Sequence, residues 1–194
     1  PSGFPGPLRP DPSGRSGSSR LATSTAIAGE PPSVLLYLRP EHELRDVVAT
    51  LQSERRGSDF EIASVFITAV SDKDPQKGRD KAAKTLAFYA SVGRYYNRFL
   101  AENGFRKEVQ EITYEYQNNG LLAASKSVPD KMLDSLAICG NREDCIKSIS
   151  RFMATGITLP IIQINAIDDD AEFPLAGCLN SHLPPGSHRR IRRC

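Results

Sequence analysis

The sequence predicts an α/β fold built on parallel strands, and three observations carry that prediction. Short continuous apolar runs, VLLYL (34–38), FEIASVFITAV (60–70) and ITLPIIQINAI (157–167), read as strands covered on both faces. Segments of helical periodicity separate them, and the first strand, helix and strand form a βαβ unit whose strands are parallel. Three such strands neither close a barrel nor make a comfortable open sheet, because both outer strands would present long apolar edges. The predicted body is therefore part of a larger α/β arrangement.

The elements follow in order. Residues 1–20 are rich in Pro, Gly, Ser and Arg and cannot bury enough apolar surface to offset the entropy of ordering. They read as disordered. LATSTAIAGEPPS (21–33) is transitional, and Pro31-Pro32 stops any helix there. After the first strand, Arg39-Pro40 ends the run. Residues 41–56 then read as a helix, with Leu44, Val47, Val48 and Leu51 at helical spacing and Gly57-Ser58 as the stop.

Beyond the second strand, SDKDP (71–75) opens a long helical stretch. Ala82, Ala83, Leu86, Ala87, Ala90, Tyr96, Phe99 and Leu100 form its apolar stripe, and Gly104 with Phe105 resembles a C-cap glycine and its hydrophobic contact. A second helix carries Val109, Ile112 and Tyr116 and is expected to end at NNG (118–120). A third is predicted over PDKMLDSLAI (129–138), with Pro near its first turn. Asn141 is a good N-cap for a fourth helix, with Asp144 three residues on. Cys145, Ile149, Phe152 and Met153 face its core, and Gly156 ends it.

Charge is unevenly placed. The net charge is +2. Three arginines against Asp11 and Glu30 leave +1 in residues 1–33, and four arginines without an acid leave +4 in 174–194, so residues 34–173 carry −3. An acidic body argues against nucleic-acid binding, which needs a basic face. The HRRIRRC tail reads as a disordered end rather than a polyanion-binding arm, and DDDAE (168–172) as a solvated end rather than a cation site. Cys139, Cys145, Cys178 and Cys194 form no CxxC pair and no ligand spacing with His42, His182 or His188, so no zinc site is expected. Cys139 and Cys145 lie among apolar residues and read as buried thiols of a reducing, cytoplasmic compartment. No segment has the roughly 20 apolar residues that span a bilayer, and the first residues lack the apolar core of a signal peptide. No dinucleotide fingerprint, P-loop or nucleophile elbow occurs.

Four stretches carry a resemblance: LAFYASVGRYYNRFLAENGF (86–105), YEYQNNG (114–120), VPDKMLDSLAICGNREDC (128–145) and TGITLPIIQIN (155–165). In this order they resemble the luciferase-like monooxygenase superfamily, and within it the deazaflavin-dependent reductases related to methylenetetrahydromethanopterin reductase. The resemblance covers residues 34–167. It implies a partial (β/α)8 TIM barrel, with the three predicted strands as strands six, seven and eight and residues 72–138 as the helical insertion after strand seven. Strands one to five would lie outside this chain, and the chain is expected to be N-terminally incomplete and inactive by itself. AIAGE (26–30) could be a remnant of the helix before strand six. Residues 1–33 would be a disordered or non-homologous leader and 168–194 a disordered tail that departs from the family after Phe173, and both ends could be frame-shifted or misassembled sequence.

The resemblance further implies a flavin- or deazaflavin-dependent oxidoreductase, using FMN or the deazaflavin coenzyme F420 for hydride transfer or monooxygenation of a small molecule. A homodimer built on the insertion helices is the implied assembly, and a non-catalytic fragment or interaction module is the alternative.

In such barrels the site lies at the C-terminal ends of the strands. That rule selects Tyr37 and Arg39 after strand six, Thr68 and Ser71 around the end of strand seven, and Gln163 and Asn165 at strand eight, as a cofactor or substrate pocket with no catalytic residue named. Arg39 could fork onto a phosphate or carboxylate, or be a surface residue beside Glu41 and Glu43. Gln163 and Asn165 could meet a ring edge, or form a polar plug satisfied within the barrel. Tyr37 fits packing as well as binding, and Thr68 fits a strand without further role. His42 near the mouth reads as exposed. The Arg94, Tyr95, Tyr96, Asn97, Arg98 cluster could suggest base stacking; helical spacing puts Tyr96 in the core and the two arginines on the solvent face.

Overall fold

The computed structural model describes residues 33–54 and 60–167. The elements are β1 (Ser33–Tyr37), α1 (Glu41–Glu54), β2 (Glu61–Val70), α2 (Pro75–Val92), α3 (Arg94–Leu100), a π-turn (Ala101–Phe105), α4 (Arg106–Lys126), α5 (Asp130–Leu136), β3 (Ala137–Gly140), α6 (Arg142–Met153) and β4 (Leu159–Ile164). The predicted leader up to residue 32 and the tail from 168, with their basic and acidic runs, AIAGE, Cys178, Cys194, His182 and His188, lie outside the described residues.

β2 is the centre of a four-stranded parallel sheet. Residues 61–65 of β2 pair with β1, residues 67–70 pair with β3, and residues 63–68 pair with β4. Because β4 overlaps both other partners, it occupies one edge of β2 while β1 and β3 lie end to end along the other. All pairings are parallel, so the C-terminal ends of the strands share one rim.

Alternation along the strands divides the core in two. Val34, Leu36, Ile62, Phe66 and Ile162 turn to one face and pack with Leu44 and Val48 of α1 and Cys145, Ile149 and Phe152 of α6. Phe66 stacks on Phe152 at 4.4 Å between ring centroids. Ile67 and Ala69 turn to the other face, where Ala82, Leu86, Ala90 and Ile112 of the inserted helices cover them. Each large aliphatic side chain buried there contributes about 1.5–3 kcal/mol. The insertion covers only the C-terminal part of this face. Leu35, on the same face two residues before Tyr37, remains 60 % exposed.

Local chemistry explains the element ends. Pro75 opens α2 and the Asp74 carboxylate accepts from the Lys77 amide at 3.4 Å. Gly78 lets α2 approach the sheet: a Cβ there would lie 2.9 Å from the Ala69 carbonyl oxygen and 3.1 Å from that of Gly140. Asn141 caps α6 as predicted, accepting from the Asp144 amide at 2.9 Å.

Three boundaries differ from the expectation. The helix predicted over 129–138 stops at Leu136, and Ala137–Gly140 extends to pair with the upper half of β2. The stretch after Asp74 is interrupted by extended Gly93 and then by the π-turn, in which Gly104 takes a φ of 96° and buried Phe105 follows it. α4 continues beyond NNG to Lys126, with Gly120 alone leaving the helical region at a φ of 79°.

Candidate functional site

The rim formed by the strand ends carries the residues selected from the sequence, and the structure sorts them. Tyr37 ends β1 and Gln163 is the penultimate residue of β4. Both turn to the face that the insertion roofs. The Tyr37 hydroxyl donates to Gln163 Oε1 at 2.6 Å across 126 residues of sequence. Tyr37 also meets Tyr89 of α2 and Tyr96 of α3 edge-on, at 5.4 and 5.7 Å, and those two rings meet each other at 5.5 Å. Edge-to-face packing of this kind suits the ring quadrupoles.

Burial, with the neighbouring Tyr89 phenol behind it, pushes the Tyr37 hydroxyl well above the usual tyrosine range. Burial also raises Tyr96. The Tyr37 and Tyr96 hydroxyls therefore hold their protons at any physiological pH, and Tyr37 acts as a donor. Since Gln163 Oε1 takes the Tyr37 proton, the amide orientation is set: Nε2 makes no hydrogen bond among the described residues and is the available donor of the pair.

Asn165 is committed to the fold. Its backbone amide donates to the Thr68 carbonyl at 2.8 Å. Its side-chain Nδ2 donates to the Gln163 carbonyl at 3.0 Å, and Oδ1 lies 3.0 Å from the Thr85 hydroxyl of α2. Of the two readings of Asn165, the geometry matches the satisfied polar plug.

Arg39 is neither a surface residue nor an open anion clamp. It is 8 % exposed and pairs with Glu43, itself 7 % exposed, while its guanidinium lies 4.6 Å from the centre of the Phe99 ring. Leu38, just before it, takes a left-handed φ of 52°. That conformation is uncommon for a branched residue and turns the chain sharply at the rim. The second carboxylate oxygen, Glu43 Oε2, has no hydrogen-bond partner among the described residues. Burial raises the Glu43 pKa, and Arg39 opposes it.

Thr68 stands apart from the cluster. It shares the parity of Ile62 and Phe66 and so faces α1 and α6, with its hydroxyl donating to the Phe66 carbonyl at 3.1 Å. Ser71 shapes the turn into α2: its hydroxyl accepts from the Asp74 amide at 3.1 Å and its own amide donates to Gly140. His42 is exposed. Cys139 and Cys145 are buried thiols, pushed up to about 11 and about 12 mainly by burial. Among the described residues no group of three or more His, Cys, Asp or Glu could hold a metal ion, and no helix is long and apolar enough to cross a membrane.

Tyr89, Glu43 and Thr85 were not selected from the sequence. Glu43 lies one helical turn beyond Arg39, a spacing that signals an ion pair. Tyr89 and Tyr96 lie seven residues apart in the predicted insertion, a spacing that places two rings on one helical face.

Comparison with curated protein sequences returns no match. The family model described as luciferase-like monooxygenase matches residues 5–159. Among solved structures, the chain is similar to the coenzyme F420 dependent tetrahydromethanopterin reductase from Methanopyrus kandleri, with 15 % sequence identity and a TM-score of 0.57. The likeness covers 73 % of this chain and 42 % of that one. The fold is thus a partial, open (β/α)8 barrel in which β1, β2 and β4 are adjacent parallel strands. The match to well over half of the chain, joined to this fold, makes the protein a member of the luciferase-like monooxygenase family.

Proposed function

We propose that the chain supplies the strand-six to strand-eight side of the active-site mouth of a flavin- or deazaflavin-dependent oxidoreductase acting on a small molecule. The hydrogen bond between Tyr37 and Gln163 carries this reading. It joins the ends of two strands separated by β2 and leaves one oriented amide donor on the rim, under the rings of Tyr89 and Tyr96. The ring cofactor supplies the redox chemistry when bound. The residues present suit the edge of such a ring: an amide N–H for a ring carbonyl or nitrogen, and protonated phenols that neither ionise nor compete for a proton. Tyr37 fixes the amide, the tyrosine cluster keeps water from one side of it, and Asn165 holds the chain after β4 in place. Arg39 is closed by Glu43 and offers no clamp for a phosphate.

The chain covers less than half of the reductase it resembles, so the whole reaction, hydride transfer or monooxygenation, belongs to this proposal. The likeness to a coenzyme F420 dependent protein makes the deazaflavin the first cofactor to test and FMN the second. Titration of each into the purified chain, followed by ring fluorescence, is the test. Gln163→Leu is expected to weaken binding about five- to tenfold, the worth of one hydrogen bond of about 1 kcal/mol. Thr68→Val, on the opposite face, should leave it unchanged. Absence of quenching by either ring, or an unaltered affinity in Gln163→Leu, refutes the reading.

A second reading has its own observation. Phe88, Val92, Tyr95, Tyr114 and Leu122 of the inserted helices are 44–66 % exposed, which supports an interaction module or homodimer built on the insertion. Sedimentation velocity over a concentration series tests it: a monomer throughout, or an association unchanged on replacing Tyr95 and Tyr114 by serine, dismisses a homodimer built on this face.

A further inference from the structure

A second concave site lies beside the rim, and its chemistry differs from that of the tyrosine cluster. It is a cavity of about 400 Å³ between α2 and the end of α4. Lys77, Lys81 and Lys84 of α2 line it together with Lys126 of α4, and Ile167, two residues beyond Asn165, closes one side. The positions 77, 81 and 84 fall on one helical face, so three ammonium groups stack along α2 while the fourth comes from another helix. Asp80 is the one acid in the lining, and one of its oxygens already accepts from the Gln76 amide at 2.8 Å.

The cavity lysines are set apart by their convergence rather than by being unpaired, since Lys73, Lys107, Lys131 and Lys147 also have no ion pair among the described residues. Arg39, Arg45, Arg79, Arg98, Arg142 and Arg151 all pair with carboxylates. None of the four cavity lysines has an ion pair or hydrogen bond from its ammonium group among the described residues, although residues 34–173 carry a net −3. Like charges one turn apart destabilise a helix. Four unpaired cations from two helices thus converge on one cavity, and a solvated helix face would not require the fourth to come from α4.

The position links this cavity to the rim. Thr85, one turn beyond Lys81, reaches both the Lys81 carbonyl at 3.1 Å and Asn165 Oδ1 at 3.0 Å. A small molecule at the Tyr37–Gln163 pair could therefore extend a charged arm past Asn165 to the lysines. Exposed Leu122 in the same lining would meet an apolar part of such an arm.

We propose that the cavity lined by Lys77, Lys81, Lys84 and Lys126 is an anion subsite that takes the phosphate or carboxylate groups of a multivalent small molecule. Anion binding here needs only the charge of the ligand and no redox ring, while its link to the Tyr37–Gln163 pair rests on the oxidoreductase reading. Phosphate and carboxylate share the chemistry, and separate probes distinguish them.

The experiment is a calorimetric titration of the intact chain with inorganic pyrophosphate and, separately, with triglutamate, at low and moderate salt. Saturable binding is expected for at least one probe, and the tighter one names the group. Lys81→Gln/Lys84→Gln should weaken it about tenfold and flatten its salt dependence, since two of four convergent charges are gone. Lys81→Arg/Lys84→Arg should bind nearly as the native chain does. Lys131→Gln/Lys147→Gln, exposed lysines of α5 and α6 away from the cavity, should change affinity less than about twofold. No saturable binding of either probe, or an equal loss in the control pair, overturns the proposal. So does binding that arises only in Asp168→Asn/Asp169→Asn/Asp170→Asn, because the chain's own acids, which follow Ile167 directly in the sequence, would then be the occupant. Pyrophosphate and triglutamate carry no ring, so failure here leaves the Gln163 titrations unaffected, and the reverse holds.

Discussion

Replacing Arg39 by methionine keeps much of its bulk and removes its charge. In the native fold Arg39 and Glu43 are both more than nine-tenths buried and pair with each other, and the guanidinium also lies over Phe99. In Arg39→Met the Glu43 carboxylate stays buried with neither oxygen compensated. Breaking one partner of a buried pair costs about 3–5 kcal/mol, and loss of the cation–π contact adds about 0.5–2 kcal/mol. Against a domain stability of about 5–15 kcal/mol this is a large fraction. Burial already raises the Glu43 pKa above its ordinary 4.5, and Arg39 is the main influence holding it down. Without Arg39 the folded state binds the Glu43 proton more tightly than the unfolded chain does. The variant's stability therefore falls as pH rises through the raised folded value, and is recovered as pH drops toward 4.5. Urea unfolding at about pH 8 and about pH 5 is the assay: the defect should be largest at the higher pH and shrink at the lower. Arg39→Met/Glu43→Leu should recover most of the loss at both. A cost below about 1 kcal/mol at the higher pH, or a double variant as unstable as the single one, would refute the reasoning.

Further outcomes are expected elsewhere. Gly78→Ala should destabilise by about 1–3 kcal/mol despite the better helix propensity, because the new Cβ meets backbone rather than a movable side chain; thermal melts read this, and a gain in Tm would contradict the packing described. Phe152→Ala should cost about 3–5 kcal/mol by emptying the stack on Phe66, checked by the shift of the urea midpoint. In a Cys178→Ser/Cys194→Ser background, Cys139 and Cys145 should resist a thiol reagent in the native state and react on unfolding, since burial holds them at about 11 and about 12. Rapid native labelling would show the thiols to be more accessible than their burial indicates.

Much of this fold is legible in the sequence because its strands are continuous apolar runs bounded by strong stops. β1, β2 and β4 fall inside or within one residue of the predicted runs, and α1 begins after Arg39-Pro40 as expected. β3 was hidden for a physical reason. Ala137–Gly140 is only four residues long, follows a helix without Gly or Pro between, and is extended because the upper edge of β2 offers it hydrogen bonds. Local propensity carries no trace of such a partner. The continuation of α4 past Gly120 is similar: the glycine is a local break, but the residues after it are good helix formers and Ala124 is buried.

The candidate site was legible as a location more than as an arrangement. Counting to the ends of the strands selects Tyr37, Gln163 and Asn165, which the rim brings together. The same count selects Thr68, whose parity with Ile62 and Phe66 turns it away. Arg39 was placed near the mouth but not inside a closed pair, since its burial depends on Phe99, sixty residues on. The lysine cavity escaped because Lys126 joins the α2 lysines only through the packing of α2 on α4.

The end-to-end arrangement of β1 and β3 has a consequence for how the domain comes apart. The lower half of β2 is held on one edge by β1, at the start of the described chain, while its upper half is held by β3, which arrives from the insertion itself. Opening of β1 therefore need not release residues 67–70, which keep β3 beside them and, at 67–68, β4 on the other edge. The inserted helices and the top of the sheet form one cooperative block and β1 with α1 another, joined along a single strand. In native-state hydrogen exchange the slowest amides should cluster at the top of β2, and the boundary between the two protection classes should fall near Phe66, where β4 is the only strand alongside among the described residues.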